Sequence, residues 1–319
     1  MFGPADLKLC GTALLLVLGV LANVFNLGVM LVQQWRSGGV KTLAVIICFI
    51  SLGNVLLQIS TFILVASIWA GVLCSPVLPF LFCVVVVVWL SSSSVSFWSV
   101  AWLSVFYCVR VLSFSSALFR ALKENVSSVL NAALCVTLLT SCLMFTPFFF
   151  LHFQSQTLLS NVTEKAACVT RKPLFPAWVD VNIYVIVFLF YLTLMPLTVM
   201  LPTSLRLVVF LCRHTVQRSS SRSAESYLLV CRLTVALVWV YLATLLTISL
   251  FYLHAVFASG LSADMLFLGL SFYCVASAIL LSCSNKNLRE KLRVLMCRRN
   301  NADILTESAA DKSGGTAKV

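Results

Sequence analysis

The fold is decided by CGTALLLVLGVLANVFNLGVMLV (residues 10–32), QQWRSGGVK (residues 33–41) and TLAVIICFISLGNVLLQISTFILVASIW (residues 42–69). Each of the two apolar stretches exceeds the roughly 20 residues that a helix needs to cross a bilayer. The short loop between them carries Arg36 and Lys41. Since backbone amides cannot remain unpaired in lipid, both apolar stretches are predicted to be membrane-spanning helices.

The same pattern continues along all 319 residues, of which 61% are hydrophobic and 10% charged. Soluble domains are closer to 45–50% apolar and roughly 25% charged, so lipid is the expected solvent. The net charge of +12 lies in short loops between spans and not on one folded domain, which argues against nucleic acid as a partner. Seven spans are predicted: Cys10–Val32, Thr42–Trp69, Pro79–Val109, Val126–Leu151, Asp180–Cys212, Tyr227–Phe257 and Ala263–Cys283.

Positive charge predicts the orientation of these spans. If residues 1–9 are extracellular, the outer segments hold four of the 22 Lys and Arg residues, and the other eighteen lie at the inner side. Cytoplasmic loops carry such an excess, so the C-terminus is predicted to be cytoplasmic and the protein a multi-pass component of the plasma membrane. The glycosylation triplet Asn161-Val162-Thr163 then falls outside, in the loop after the fourth span.

The segment after the bundle of residues 10–283 is predicted to lie on the inner membrane surface. Residues 284–300 form an amphipathic eighth helix, with Leu288, Leu292, Leu295 and Met296 toward lipid. Cys297 is a palmitoylation candidate, although an unmodified surface cysteine fits equally well. The polar tail, residues 301–319, is expected to be disordered.

Seven helices with an extracellular N-terminus and a surface helix give an all-α membrane protein with the plan of a G-protein-coupled receptor. A transporter would need ionisable groups at mid-membrane, and an intramembrane enzyme would need a metal-binding or paired-carboxylate set. The three His residues, with His152 and His254 near the outer ends of spans and His214 at the inner face, form neither set. No enzyme activity, cofactor or metal is therefore expected.

The inner end of the third span reads LSVFYCVRVLSFS from Leu103 to Ser115. It resembles the L-S-x-F-Y-x-L-K-I-A-N-F-S signature of the type 2 (bitter) taste receptor family, which also lacks a D-R-Y triplet. Further matches occur in the same order along the chain, at Gly19, Asn23, Phe25, Pro196, His214, Tyr241 and residues 284–289. A vomeronasal type 1 pheromone receptor is the alternative, since it is built similarly.

Two departures from the family pattern indicate a divergent member, not necessarily a mammalian one. Asn54 stands where many members have an arginine in the second span, so the polar network there must be built differently. In the seventh span, the family's H-S pair is replaced by Ser277-Ala278.

A ligand site is expected between the outer halves of the spans, where charge is nearly absent. The third span has no deep acidic residue, which disfavours an amine ligand and favours neutral or apolar molecules. The resemblance places Trp89 and Ser93, one helical turn apart, at ligand-contacting positions, with Ser92 as the alternative to Ser93. It places Thr244 and Phe267 where relatives have a tyrosine and a glutamate. Packing, or hydrogen bonding to a helical carbonyl, is the competing role for these residues.

Signal transfer is expected at the inner ends of the helices. Pro196 and Pro202 allow the fifth span to kink, and Tyr107, Arg110 and His214 can rearrange when the inner ends separate. Tyr241 is expected to be a packing or switch residue, and Arg110 could simply reach the lipid interface. The resemblance implies a small bitter ligand and a gustducin-like heterotrimeric G protein, and the basic loops also suit membrane lipids.

Two features stay open in the sequence. Cys83 could form a disulfide with Cys168, although bitter receptors generally lack that bond and Cys74 is a competing partner. Whether the receptor acts alone or as a homo- or hetero-oligomer is not decided by any motif.

Overall fold

The computed structural model describes residues 4–39, 41–69, 79–112, 123–155, 171–217, 222–257 and 264–294. The tail predicted over residues 301–319 and the last residues of the family signature lie outside these ranges, as do Cys74, Asn161, Cys168 and Cys297.

Seven helices of the described chain are long and apolar enough to cross a membrane, which confirms the predicted fold class. A shorter helix, α8, covers residues 286–294. The membrane helices are α1 (Pro4–Ser37), α2 (Thr42–Trp69), α3 (Pro79–Val111), α4 (Val126–Met144), α5 (Val181–Leu189, the π-helical turn Phe190–Leu194 and Met195–Gln217), α6 (Arg222–Phe257) and α7 (Asp264–Ser284).

The ends of two helices differ from the hydropathy prediction. The α1 helix extends beyond its apolar stretch on both sides, because helical hydrogen bonding can continue outside the hydrocarbon region. By contrast, α4 ends at Met144 and gives way to a 3₁₀ turn, Thr146–Phe150, with a proline in its first turn. Proline is tolerated there because the first amides of a helix have no partner within it.

A short antiparallel hairpin was not foreseen from the sequence. Strand β1 (His152–Ser155) pairs with β2 (Arg171–Leu174), and His152 lies opposite Leu174. It follows α4 and precedes α5, so it lies at the end of the bundle opposite α8.

The central helix of the bundle is α3, which packs against α2, α4, α5 and α6. The α2 and α3 backbones approach closely at Gly53 of α2, where a Cβ atom would lie 3.2 Å from the Ser92 carbonyl oxygen. Around this centre, Tyr241, Tyr273 and Phe97 are fully buried. Leucines such as Leu143, which is 71% exposed, cover the outside, as expected of a surface solvated by lipid.

The α8 helix is held against the bundle and does not simply lie on its surface. Leu288, which the amphipathic pattern placed toward lipid, is fully buried in the main apolar core. For Leu288 that expectation was wrong, because this side chain packs into the end of the bundle, whereas Leu295 and Met296 lie outside the described residues. We refer to this end as the α8 end.

Candidate ligand site and connected polar networks

Trp89 of α3 joins two neighbouring helices at the end of the bundle away from α8. Its indole N–H donates a hydrogen bond to Thr61 Oγ1 of α2 at 3.0 Å. The indole also meets the ring of Phe267 of α7, with centroids 6.1 Å apart and ring planes at 74°. Edge-to-face contact of this kind is a favourable aromatic geometry. Trp89 and Phe267, which the family resemblance places at ligand-contacting positions, are thus in contact.

The surroundings of this pair are apolar. Leu64, Val85 and Phe267 are buried together, and the partly buried Phe82, Val86 and Trp89 pack against them. Thr61 is the polar group here, and its own hydroxyl proton goes to the Leu57 carbonyl at 2.6 Å. The cluster therefore presents aromatic and aliphatic walls with one hydroxyl–indole pair among them.

The three hydroxyl residues predicted near the ligand donate their protons within their own helices. Ser93 donates to the Trp89 carbonyl at 2.7 Å, Ser92 to the Val88 carbonyl at 2.6 Å, and Thr244 to the Val240 carbonyl at 2.8 Å. All three side chains are buried. Such bonds satisfy the hydroxyl proton and leave the oxygen lone pairs able to accept.

The polar network expected at Asn54 of α2 connects four helices, through partners that the sequence did not identify. The Asn54 amide donates to Asn23 Oδ1 of α1 at 3.1 Å and to Ser277 Oγ of α7 at 3.0 Å. Its Oδ1 atom accepts from Ser96 Oγ of α3 at 2.6 Å, and Ser96 also shares a 3.0 Å hydrogen bond with the Tyr273 hydroxyl. We call these five residues the Asn54 network. The signal available in the sequence was Asn54 itself, a polar side chain in the middle of an apolar span.

Tyr241 of α6 is linked to the irregular turn of α5. Its hydroxyl donates to the Thr193 carbonyl at 2.7 Å, and its ring meets Phe97 edge-on at 5.3 Å between centroids. Thr193 lies in the π-helical turn just before Pro196. Proline has no amide proton, so the regular hydrogen bonding of α5 is interrupted next to this turn. The Tyr241 hydroxyl supplies a hydrogen bond to that turn from a different helix.

The residues predicted to respond at the α8 end are only partly described. The Arg110 guanidinium lies 5.5 Å from the centroid of the Phe106 ring, and the Phe106 and Tyr107 rings meet at 5.7 Å. A cavity of about 10 Å³ beside Tyr107 is lined by Ser104 and Ser204, whose hydroxyls are 2.7 Å apart. His214 belongs to α5, but its side chain is not among those described.

The predicted disulfide and modification sites stay predictions. Cys83 is buried, 2% exposed, at the end of α3 away from α8. Its two candidate partners, Cys74 and Cys168, lie outside the described residues, as do Asn161 and Cys297.

Comparison with known proteins gives a family match over almost the whole chain. A family model described as "Taste receptor protein (TAS2R)" matches residues 7–300. Taste receptor type 2 member 40 of the chicken (Gallus gallus) is 29% identical over 215 residues, which cover 64% of this chain and 65% of that protein. Taste receptor type 2 member 16 of the mouse (Mus musculus) is 30% identical over 160 residues, covering 50% and 51% of the two chains.

A third relative extends the match along the chain. Taste receptor type 2 member 103 of the rat (Rattus norvegicus) is 24% identical over 299 residues, covering 89% of this chain and 90% of that protein. The aligned part of this chain spans 65% of the length of the chicken relative and 51% of the length of the mouse relative. Both shares are less than two thirds.

Proposed function

The chain belongs to the taste receptor protein (TAS2R) family, whose members are G-protein-coupled receptors and not enzymes, and on that premise we propose that it is a bitter taste receptor. It binds small, mostly apolar compounds at the end of the bundle away from α8 and activates a gustducin-like heterotrimeric G protein. The family match favours this reading over a vomeronasal type 1 pheromone receptor, and no structural observation supports the latter separately.

The observation that carries the ligand site is the meeting of Trp89, Phe267 and Thr61 on three different helices. A site between helices, walled by aromatic and aliphatic groups with few polar atoms, is typical for small molecules. Ligand entry between the two rings replaces their edge contact with contact to the ligand. The indole N–H can then move from Thr61 to an acceptor on the ligand.

The hydroxyl groups predicted to contact the ligand narrow its chemical class. Since Ser92, Ser93 and Thr244 already donate to helical carbonyls, their oxygens are left as acceptors. A compound with an apolar body and an O–H or N–H donor is therefore a better match than one with acceptors alone. A cationic amine lacks a carboxylate partner in α3.

The G protein is proposed to bind at the α8 end, which faces the cytoplasm when residues 1–9 are extracellular. Tyr107 and Arg110 lie at that end of α3. Binding of ligand to one arrangement of the helices in preference to another shifts the population between them. The Asn54 network and the Tyr241–Thr193 hydrogen bond connect the helices that must move relative to one another.

The test is calcium release in cells that express the full chain with a gustducin-chimeric G protein, exposed to a panel of bitter compounds. Trp89→Ala removes the aromatic wall and is expected to raise the half-maximal agonist concentration about tenfold or more, which corresponds to about 1.4 kcal/mol. Trp239→Ala is the matched control, because Trp239 of α6 is 69% exposed on the outside of the bundle. Surface expression is measured for both variants.

An unchanged agonist concentration in Trp89→Ala, at normal surface expression, would remove Trp89 from the site. Equal losses in Trp89→Ala and Trp239→Ala would attribute the effect to folding. If no compound of the panel elicits a response while the receptor is at the surface, the proposed ligand class is wrong.

A further inference from the structure

A cavity of about 580 Å³ lies at the α8 end, between the last turns of α1 and the helix α8. This volume is within the range of roughly 300–1,000 Å³ that small-molecule sites occupy. The cavity is remote from the Trp89 cluster, which lies at the opposite end of the bundle, and no residue discussed for ligand binding or signalling lines it.

Part of the wall contributed by α1 is apolar. Gly28, Val29 and Val32 form this part, whereas Gln33 and Ser37 of the following turns are polar, and Val32 is 47% exposed. A Cβ atom added at Gly28 would meet nothing within 4 Å, so the space beside this glycine is open. A hydrocarbon chain running along α1 fits such a wall, because it needs apolar contact and no hydrogen bonds.

The rim of the cavity is charged, with an excess of cations. Arg36 from α1 and Lys291 from α8 approach it from two helices, and Glu290 contributes one carboxylate. Glu290 lies 3.9 Å from Lys286, which offsets its charge. Two cations against one partly neutralised carboxylate favour an anion at the rim.

We propose that this cavity binds one anionic glycerophospholipid, with its phosphate between Arg36 and Lys291 and an acyl chain along Gly28, Val29 and Val32. Basic pockets beside membrane helices on the cytoplasmic side are suited to lipids of this charge. The leaflet is the cytoplasmic one in the orientation proposed above, and that leaflet carries the anionic lipids. The inference is independent of the taste ligand.

A second copy of the chain fits the cavity less well. A symmetric dimer brings the same patch of both subunits together, so Arg36 and Lys291 would face their own copies. Like charges in such a contact are destabilising, whereas a lipid phosphate supplies the opposite charge.

The experiment is native mass spectrometry of the full-length receptor in detergent with equimolar phosphatidylserine and phosphatidylcholine. The receptor is expected to retain one phosphatidylserine molecule in preference to phosphatidylcholine. Arg36→Gln and Lys291→Gln each remove one cation. Each variant should lower the ratio of phosphatidylserine-bound to phosphatidylcholine-bound receptor about fivefold. Glu290→Gln removes the carboxylate and should raise it.

Two further variants separate charge from shape. Arg293→Gln makes the same change on an exposed α8 cation that does not line the cavity, so it should leave the bound fraction unchanged. Gly28→Leu fills the space along α1 and should reduce retention of both lipids. The thermal unfolding midpoint of every variant is measured to confirm that it is folded.

Equal retention of the two lipids, or equal effects of Arg36→Gln, Lys291→Gln and Arg293→Gln, would overturn the proposal. So would a lipid-free receptor dimer that dissociates when Gly28 is replaced by leucine, because the occupant would then be a second copy. A receptor that responds to no taste compound but keeps this lipid selectivity would contradict the proposed function alone.

Discussion

At the scale of single residues, the partner of a buried hydroxyl group decides its role. Ser96 and Ser99 lie one helical turn apart in α3, and both side chains are fully buried. Ser96 contacts Asn54 and Tyr273 on two other helices, whereas Ser99 donates to the Val95 carbonyl of its own helix at 2.6 Å. A buried serine therefore connects helices at position 96, whereas at position 99 it forms a hydrogen bond only within its own helix.

Replacing each of these serines by alanine separates the two roles. Ser96→Ala leaves Asn54 Oδ1 and the Tyr273 hydroxyl without their shared partner, and we expect it to lower the stability of the receptor by about 1 kcal/mol. Ser99→Ala removes only a bond within one helix and is expected to change stability by less than about half of that. The measurement is the thermal unfolding midpoint of the purified variants in one detergent.

A lower midpoint for Ser99→Ala than for Ser96→Ala would contradict the role assigned to the Asn54 network. A double variant, Ser96→Ala with Asn54→Leu, provides the control. Because both changes remove parts of one network, their combined effect should be smaller than the sum of the separate effects.

The sequence could identify individual residues of the candidate site but not their partners. Trp89 and Phe267 were singled out by resemblance, and they contact each other. Thr61 was not singled out, because a threonine in an apolar span is usually bonded to its own helix. Which residues of α2 and α7 face α3 depends on the rotation of each helix, and near-uniform hydrophobicity gives no periodic signal for that rotation.

At the scale of elements, the fifth helix shows how an irregularity can be compensated by a neighbour. Pro196 and the π-helical turn before it interrupt the regular bonding of α5. In lipid no water replaces a missing donor, so the carbonyls must find partners within the protein. The Tyr241 hydroxyl of α6 donates to one carbonyl of the irregular turn, that of Thr193.

This compensation predicts thermodynamic coupling between Tyr241 and Pro196. Tyr241→Phe keeps the ring contact with Phe97 and removes only the hydroxyl, so we expect it to cost about 0.5–1.5 kcal/mol. Pro196→Ala permits regular α-helical bonding through this turn, in which the Leu197 amide can donate to the Thr193 carbonyl, and should reduce that cost when the two changes are combined. Unfolding midpoints of the two single variants and the double variant measure the coupling.

Strictly additive effects would show that the hydroxyl does not compensate for the proline. Thr247→Val is a suitable control in the same helix, because the Thr247 hydroxyl donates to the Ala243 carbonyl of α6. That change should be additive with Pro196→Ala, since the two sites share no partner.

Hydropathy was sufficient to predict the spans but not the irregular elements. Length and apolar content locate α1 to α7, because a long apolar stretch in lipid must pair its backbone groups and does so as a helix. The hairpin of β1 and β2 arises in a polar loop where neither length nor periodicity points to strands. The π-helical turn could be suspected from Pro196, but hydropathy carries no signal for its position.

At the scale of the whole molecule, the uneven distribution of Lys and Arg predicts which end of the bundle faces the cytoplasm. The described cations Arg36, Arg110, Arg206 and Lys291 lie at the α8 end or in the helical turns next to it. A cytoplasmic α8 end would also place the proposed lipid cavity in the anionic leaflet and the Trp89 cluster toward the extracellular side. If the proposed orientation is right, the same distribution of charge places the proposed ligand site on one face of the membrane and the proposed lipid and G-protein sites on the other.

The orientation makes a direct prediction for the loop between α4 and α5. Asn161 should carry an N-linked glycan in cells, because its Asn-Val-Thr triplet is placed on the extracellular side. Treatment of the receptor with an N-glycosidase should increase its mobility on a gel, and Asn161→Gln should abolish that shift. Epitope tags at the two ends serve as the control: the N-terminal tag should bind antibody on intact cells, and the C-terminal tag only after permeabilisation. Both tags on one face would contradict an odd number of crossings, whereas exchanged faces would invert the orientation and place the Trp89 cluster toward the cytoplasm.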